Sequence, residues 1–75
     1  MVKPTSVTNS IRTLRFTHGE MTQADLAERI GVTRQTVIAI EQGRYSPSLE
    51  LAFQIARVFE TPLDDVFQYP TGADS

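Results

Sequence analysis

Apolar residues recur every three or four positions along most of this chain, in short runs broken by glycine, proline and hydroxyl residues. That rhythm predicts helices and not strands. Ile11 and Leu14 share one side of a first helix, which Asn9 or Thr8 can cap and which ends near His18-Gly19. Thr22 with Asp25 three residues later reads as a capping box, ahead of a second helix carrying Leu26, Ala27 and Ile30 on one face. Gly31 closes that helix with a left-handed turn, and Thr33 caps a third from Arg34 to about Gln42, with Val37 and Ile40 inward and Gly43 as its stop. Arg44-Tyr45-Ser46-Pro47 cannot continue a helix, because proline lacks an amide hydrogen and disfavours helical geometry before it. Ser48 then caps a fourth helix, Leu49 to about Phe59, whose inward side is Leu51 or Ala52, Ile55, Ala56 and Phe59. Thr61-Pro62 opens a short fifth helix, with Pro62 expected at its first position, Asp64 completing a second box-like pair, and Leu63, Val66 and Phe67 apolar. Phe67-Gln68-Tyr69 before Pro70 is a candidate for extended chain, and Thr71 to Ser75 reads as a disordered tail. The expectation is an all-α protein with a single domain over residues 1–70 and a tail over 71–75.

The link between helices two and three is only Gly31, Val32 and Thr33. So short a connection forces a steep crossing, the helix-turn-helix arrangement. Ala27 is small where the axes approach, and Val37 and Ile40 anchor the third helix. At about 100° per residue, the opposite side of helix three holds Gln35, Ile38, Ala39 and Gln42, with Arg34 at its flank. A merely solvated helix face would usually carry several Glu and Lys residues. Here stand amides, small and apolar groups and an arginine, with no acid. In the major groove, Gln pairs with adenine, Arg with guanine, and Ala or Ile methyls meet the thymine methyl. Thr22-Gln23 and Thr33-Arg34 lie at helix N-termini, where free amides and positive dipole ends suit phosphates. Arg44 and Tyr45 follow in an exposed loop suited to the flanking backbone. Thr22 and Thr33 are, taken singly, also explained as ordinary caps.

Charge bears on this reading in two ways. The 75 residues carry seven basic and nine acidic side chains, for a net charge of −2, where a nucleic-acid binder is expected to be basic. The distribution is polarised. Residues 1–45 hold six bases and four acids, whereas residues 46–75 hold Arg57 against five acids. Only the first part of the chain suits a polyanion.

Composition excludes several other classes. With no cysteine and the single His18, disulfides, thiolate metal sites and imidazole clusters are excluded. No metal or cofactor is expected. The longest apolar run, Val37 to Ile40, is far short of the roughly 18 residues that span a bilayer, and no secretory signal opens the chain. A cytoplasmic protein without membrane or small-molecule partner is the expectation. Catalysis needs a nucleophile–base pair, a carboxylate dyad or a cofactor loop. The adjacent Asp64 and Asp65 diverge at a helix start and suit its dipole instead, so no enzyme is expected.

Met21-Thr-Gln-Ala-Asp-Leu-Ala-Glu-Arg-Ile-Gly-Val-Thr-Arg-Gln-Thr-Val-Ile-Ala-Ile-Glu-Gln-Gly43 resembles the helix-turn-helix of the phage Cro and repressor type, also called the xenobiotic-response-element family. Arg44-Tyr-Ser-Pro-Ser-Leu-Glu-Leu-Ala-Phe-Gln-Ile-Ala-Arg-Val-Phe and Pro62-Leu-Asp-Asp-Val-Phe continue the likeness, which runs from about Asn9 to Phe67. The resemblance implies a five-helix lambda-repressor-like domain that controls transcription, usually as a repressor, by binding palindromic double-stranded DNA as a homodimer. It implies base-reading roles for Arg34, Gln35 and Ala39, with Ile38 and Gln42 nearby. Thr22, Gln23, Thr33, Thr36, Arg44 and Tyr45 become the phosphate contacts. It also implies a structural Arg15–Glu41 pair, although this chain has one residue more than the usual spacing around Gly19-Glu20. The ending is similar to that of very short stand-alone regulators typified by the cytolysin repressor. That likeness implies a small antiparallel ribbon joining Phe67-Gln68-Tyr69 to residues near Val2 and Lys3.

A lone reading unit touches few phosphates, so two copies are expected, one helical turn (about 34 Å) apart. Interface candidates are Phe53, Val58, Leu63, Val66, Phe67 and Tyr69, each of which ordinary core packing also explains. Phe16 is open between the same two roles, and His18 reads as a C-terminal cap or surface residue. The rival to DNA reading is an antitoxin or adaptor of the same fold whose main partner is a protein.

Overall fold

Side chains that accept backbone amides mark where the central helices begin. A computed structural model describes residues 6–70, and its elements run β1 (Thr8–Asn9), α1 (Ile11–Thr17), α2 (Gln23–Ile30), α3 (Arg34–Glu41), α4 (Leu49–Val58), α5 (Leu63–Val66) and β2 (Phe67–Gln68). The capping box at α2 is complete: Thr22 Oγ1 accepts from the Asp25 amide at 3.0 Å, and Asp25 Oδ2 accepts from the Thr22 amide at 3.3 Å. Thr33 accepts from the Thr36 amide at α3, and Ser48 from the Leu51 amide at α4. These satisfy donors that a helix start otherwise leaves unpaired.

The helix ends follow a second rule. Gly31 sits at φ 75° while the Val32 amide reaches back to the Ala27 carbonyl at 3.0 Å. Gly43 at φ 74° repeats this for α3, with the Arg44 amide on Ala39. Both are Schellman closures, in which glycine takes the left-handed position without a Cβ clash. After α4 the same closure, Thr61 amide to Ala56 carbonyl at 3.1 Å, places Glu60 at φ 55°. Nothing in the sequence pattern marked that strained position.

One sealed core joins the layers. Ile11, Leu26, Val37, Ile40, Ile55, Phe59 and Val66 are almost wholly excluded from solvent. Ala27 on α2 is also buried. Among the described residues the sheet is the small ribbon alone, antiparallel, with Thr8 opposite Gln68 and Asn9 opposite Phe67. The Ser10 amide extends it by donating to the Val66 carbonyl at 2.8 Å.

Three expectations are corrected here. The ribbon strand pairs with Thr8–Asn9, directly before α1, so that a single residue, Ser10, separates strand from helix; Tyr69 lies beyond the paired residues, and Val2 and Lys3 lie outside the described residues. At α1, Ser10 occupies the cap position without a side-chain bond, and Asn9 does the work from one residue earlier, its Oδ1 accepting from the Ile11 amide at 3.1 Å. At α5, Pro62 is the cap itself and not the first helical residue, so no Thr61–Asp64 box forms. Thr61 Oγ1 is, among the described residues, a buried side-chain oxygen left without a partner. The tail over 71–75 lies outside the described residues.

Candidate nucleic-acid interface

Helix α3 has two unlike sides. Val37 and Ile40 hold it to the core at 1% and 2% exposure. Away from them Arg34, Gln35 and Gln42 are exposed, while Ile38 and Ala39 are half-buried with surface remaining. Among the described residues no other element seals Gln35. Among the described residues, no side chain hydrogen-bonds to the guanidinium of Arg34 or to the carboxamides of Gln35 and Gln42. The carboxylate of α3, Glu41, points elsewhere and is spoken for.

Glu41 anchors a network that ties three helices. Arg15 Nε donates to Glu41 Oε2 at 2.6 Å and Nη2 to Oε1 at 3.1 Å, a bidentate pair with its two side chains only 15% and 9% exposed. Arg15 Nη1 donates to the Met21 carbonyl at 2.9 Å, and Gln23 Nε2 to Glu41 Oε1 at 3.2 Å. Fork geometry and low exposure make such a pair stiff and costly to break. The extra residue between α1 and α2 is absorbed without disturbing it. Gly19 and Glu20 take successive left-handed conformations at φ 77° and 56°, and the Met21 amide returns to the Arg15 carbonyl at 2.9 Å. From the ribbon side, Asn9 Nδ2 donates to the Ile40 carbonyl at 2.9 Å, fastening the end of α3. The candidate reading surface therefore stands on a rigid base.

The expected backbone-contacting residues flank this surface in different states. Thr22 and Thr33 are exposed, each with its oxygen occupied by a cap. Thr36 is half-buried and shares a 3.0 Å hydroxyl contact with Thr33. Gln23 is half-buried with one carboxamide N–H committed to Glu41, which leaves its second side-chain N–H and its first-turn backbone amide to offer. Arg44 and Tyr45 are exposed in the loop after α3. Sequence reasoning passed over Arg12. It joins Phe16, Thr22, Gln23, Arg34 and Gln42 around an open groove of about 960 Å³ between α1, the start of α2 and α3. Arg12 sits four residues before Phe16, a helical spacing that aims both the same way. Among the described residues the one ion pair is Arg15–Glu41. Arg12, Arg34 and Arg44 are exposed and make no ion pair among the described residues, and the carboxylates Glu20 and Glu41 also line the groove.

The expected interface residues divide. Val66 is 0% exposed and belongs to the core of the single chain, which removes it as an interface residue: no surface of it is left for a second subunit. Val58, Leu63 and Phe67 are partly buried against that core. Phe53 and Tyr69 are exposed at 54% and 65%, and Phe16 and Leu49 join them at 70% and 68%. His18 caps α1, its Nδ1 2.9 Å from the Leu14 carbonyl and its ring edge-on to Phe59. Among the described residues no helix is long and apolar enough to cross a membrane.

Comparison with known proteins returns the same motif. A family model described as helix-turn-helix matches residues 11–66. An uncharacterized HTH-type transcriptional regulator of Methanocaldococcus jannaschii is 51% identical over 61 residues, covering 81% of this chain and 91% of that one. Another, from Bacillus subtilis, is 49% identical over 59 residues, covering 79% and 88%. Among solved structures, the crystal structure of a candidate DNA-binding protein from Bacteroides fragilis aligns with a TM-score of 0.71 at 19% identity, over 83% of this chain and 98% of that one. At that identity the likeness speaks to the fold alone.

Proposed function

Because the chain belongs to the helix-turn-helix family of transcriptional regulators, which bind DNA and are not enzymes, we propose that it represses transcription as a homodimer on a palindromic duplex site, with α3 of each copy in the major groove. One observation carries this reading. The outward side of α3 presents Arg34, Gln35, Ile38, Ala39 and Gln42 without a carboxylate, on a helix whose other side is sealed. Guanidinium and carboxamide groups supply bidentate donors and acceptors for guanine and adenine, and the methyls of Ile38 and Ala39 suit thymine. Thr22, Thr33 and Thr36, the first-turn amide of Gln23, the cations Arg12 and Arg44, and Tyr45 beside Arg44 take the phosphates on either side. The acidic surplus lies in residues 46–75, away from this surface in sequence, so that the net charge of −2 does not oppose the approach.

Selection of binding sites from random duplexes with the purified chain tests this directly. The expected product is an inverted repeat with half-site centres about 34 Å apart. Failure to enrich any sequence over the starting pool would overturn it.

A further inference from the structure

Helix α4 carries a second unlike pair of sides. Ala52, Ile55 and Ala56 face the core, whereas Leu49 and Phe53, one turn apart, stand 68% and 54% exposed. Arg57 lies one turn beyond Phe53, and Glu50 and Gln54 flank the stripe; together the five line a shallow hollow of about 470 Å³. Leu49 and Phe53 form a continuous apolar stripe on one side of a helix, flanked by one acid and one base. Glu50 and Arg57 are two turns apart, beyond the spacing of three or four at which helix side chains pair, and neither has an ion-pair partner among the described residues.

This stripe complements itself. When a second copy is laid antiparallel on the first, with the two-fold axis passing beside Phe53, the two Phe53 rings meet at the centre. Leu49 of each copy then lies over the aliphatic stem of the other's Arg57, and the Arg57 head reaches the other's Glu50. The pairing repeats on both sides of the axis, as a two-fold interface requires. We infer that α4 pairs with α4 of a second copy through Leu49 and Phe53, with reciprocal Glu50–Arg57 ion pairs fixing the antiparallel register. Arg57 is the only base in residues 46–75, a segment with five acids, and it lies on this face with Glu50. The stems of arginine cover apolar surface while the head stays charged, so one residue serves both parts of the contact. The inference rests on the homodimer proposed above and specifies which surface joins the copies.

Sedimentation equilibrium of the full chain without DNA tests it. The parent chain should be a dimer. Glu50→Arg and Arg57→Glu, each placing like charges together, should raise the dissociation constant about tenfold or more. The double variant restores opposite charges in exchanged positions and should recover the dimer. Phe53→Ser should yield a monomer with an unchanged helical circular-dichroism spectrum. A monomeric parent, which another occupant of the stripe would leave behind, overturns the inference. So does a dimer indifferent to the single charge reversals or not rescued by the double one. Binding to a duplex with one half-site reads DNA recognition separately: it should be the same for parent and Glu50→Arg, and if it is absent in both, the DNA reading has failed and not the interface.

Discussion

Gln35 stands in the first turn of α3 with both ends of its carboxamide unpaired. Among the described residues no side chain is placed to pair with it. Gln35→Ala should therefore weaken binding to the selected site by about 1–3 kcal/mol, with the loss confined to one base position per half-site. Thermal unfolding should not move. Equal affinity of parent and variant in a titration would remove Gln35 from the reading set. Arg44 belongs to a different class of contact. Arg44→Ala should weaken binding to all duplexes about equally and flatten the salt dependence by roughly one unit of slope, read from affinities at several ionic strengths. Glu41 has a structural task. Glu41→Ala strands the Arg15 guanidinium at low exposure and frees Gln23, and should cost about 2–4 kcal/mol in urea unfolding. The identity of the outward residues on α3 was legible because a helix of known phase has only one far side. Arg12 was not. Its relevance depends on where α1 lies against α2 and α3, which periodicity within one helix does not encode.

The three central helices are delimited by chemistry that one short stretch of sequence contains, and this is why they were readable. Thr22, Thr33 and Ser48 cap because their hydroxyls reach amides three residues on. Gly31 and Gly43 close because each tolerates a positive φ. The exceptions arose where tertiary contacts prevail over local preference. Asn9 is drawn to the end of α3 and caps from one position early. Glu60 occupies the left-handed position that glycine fills after α2 and α3. A β-carbon there costs roughly 1 kcal/mol, so Glu60→Gly should raise the unfolding free energy by up to about that amount. Gly31→Ala should lower it by about 1–2 kcal/mol through backbone strain, since an added Cβ at Gly31 meets no atom within 4 Å. Both follow from chemical denaturation, and a destabilising Glu60→Gly would contradict this account of the turn.

Across the whole molecule, charge and apolar surface are segregated. Arg12, Arg34 and Arg44, without ion pairs among the described residues, and the carboxylate-free side of α3 belong to the first part of the chain, and the acids gather in the last thirty residues. That polarity was visible in the sequence. The division of Phe53 and Leu49 from Val66 was not, because apolar residues of α4 and α5 look alike until the core has taken those it can enclose. The ribbon register likewise depended on how closely the chain approaches α1.

DNA reading requires that the α3 side of the protein meet the duplex. Titrating a selected site into the uniformly nitrogen-15-labelled chain and following each backbone amide by NMR tests this most directly. The account predicts the largest shifts at Gln23, along Arg34–Ala39 and at Arg44 and Tyr45, with α4 and α5 nearly unmoved. Large shifts confined to α4 and α5, with α3 silent, would contradict it.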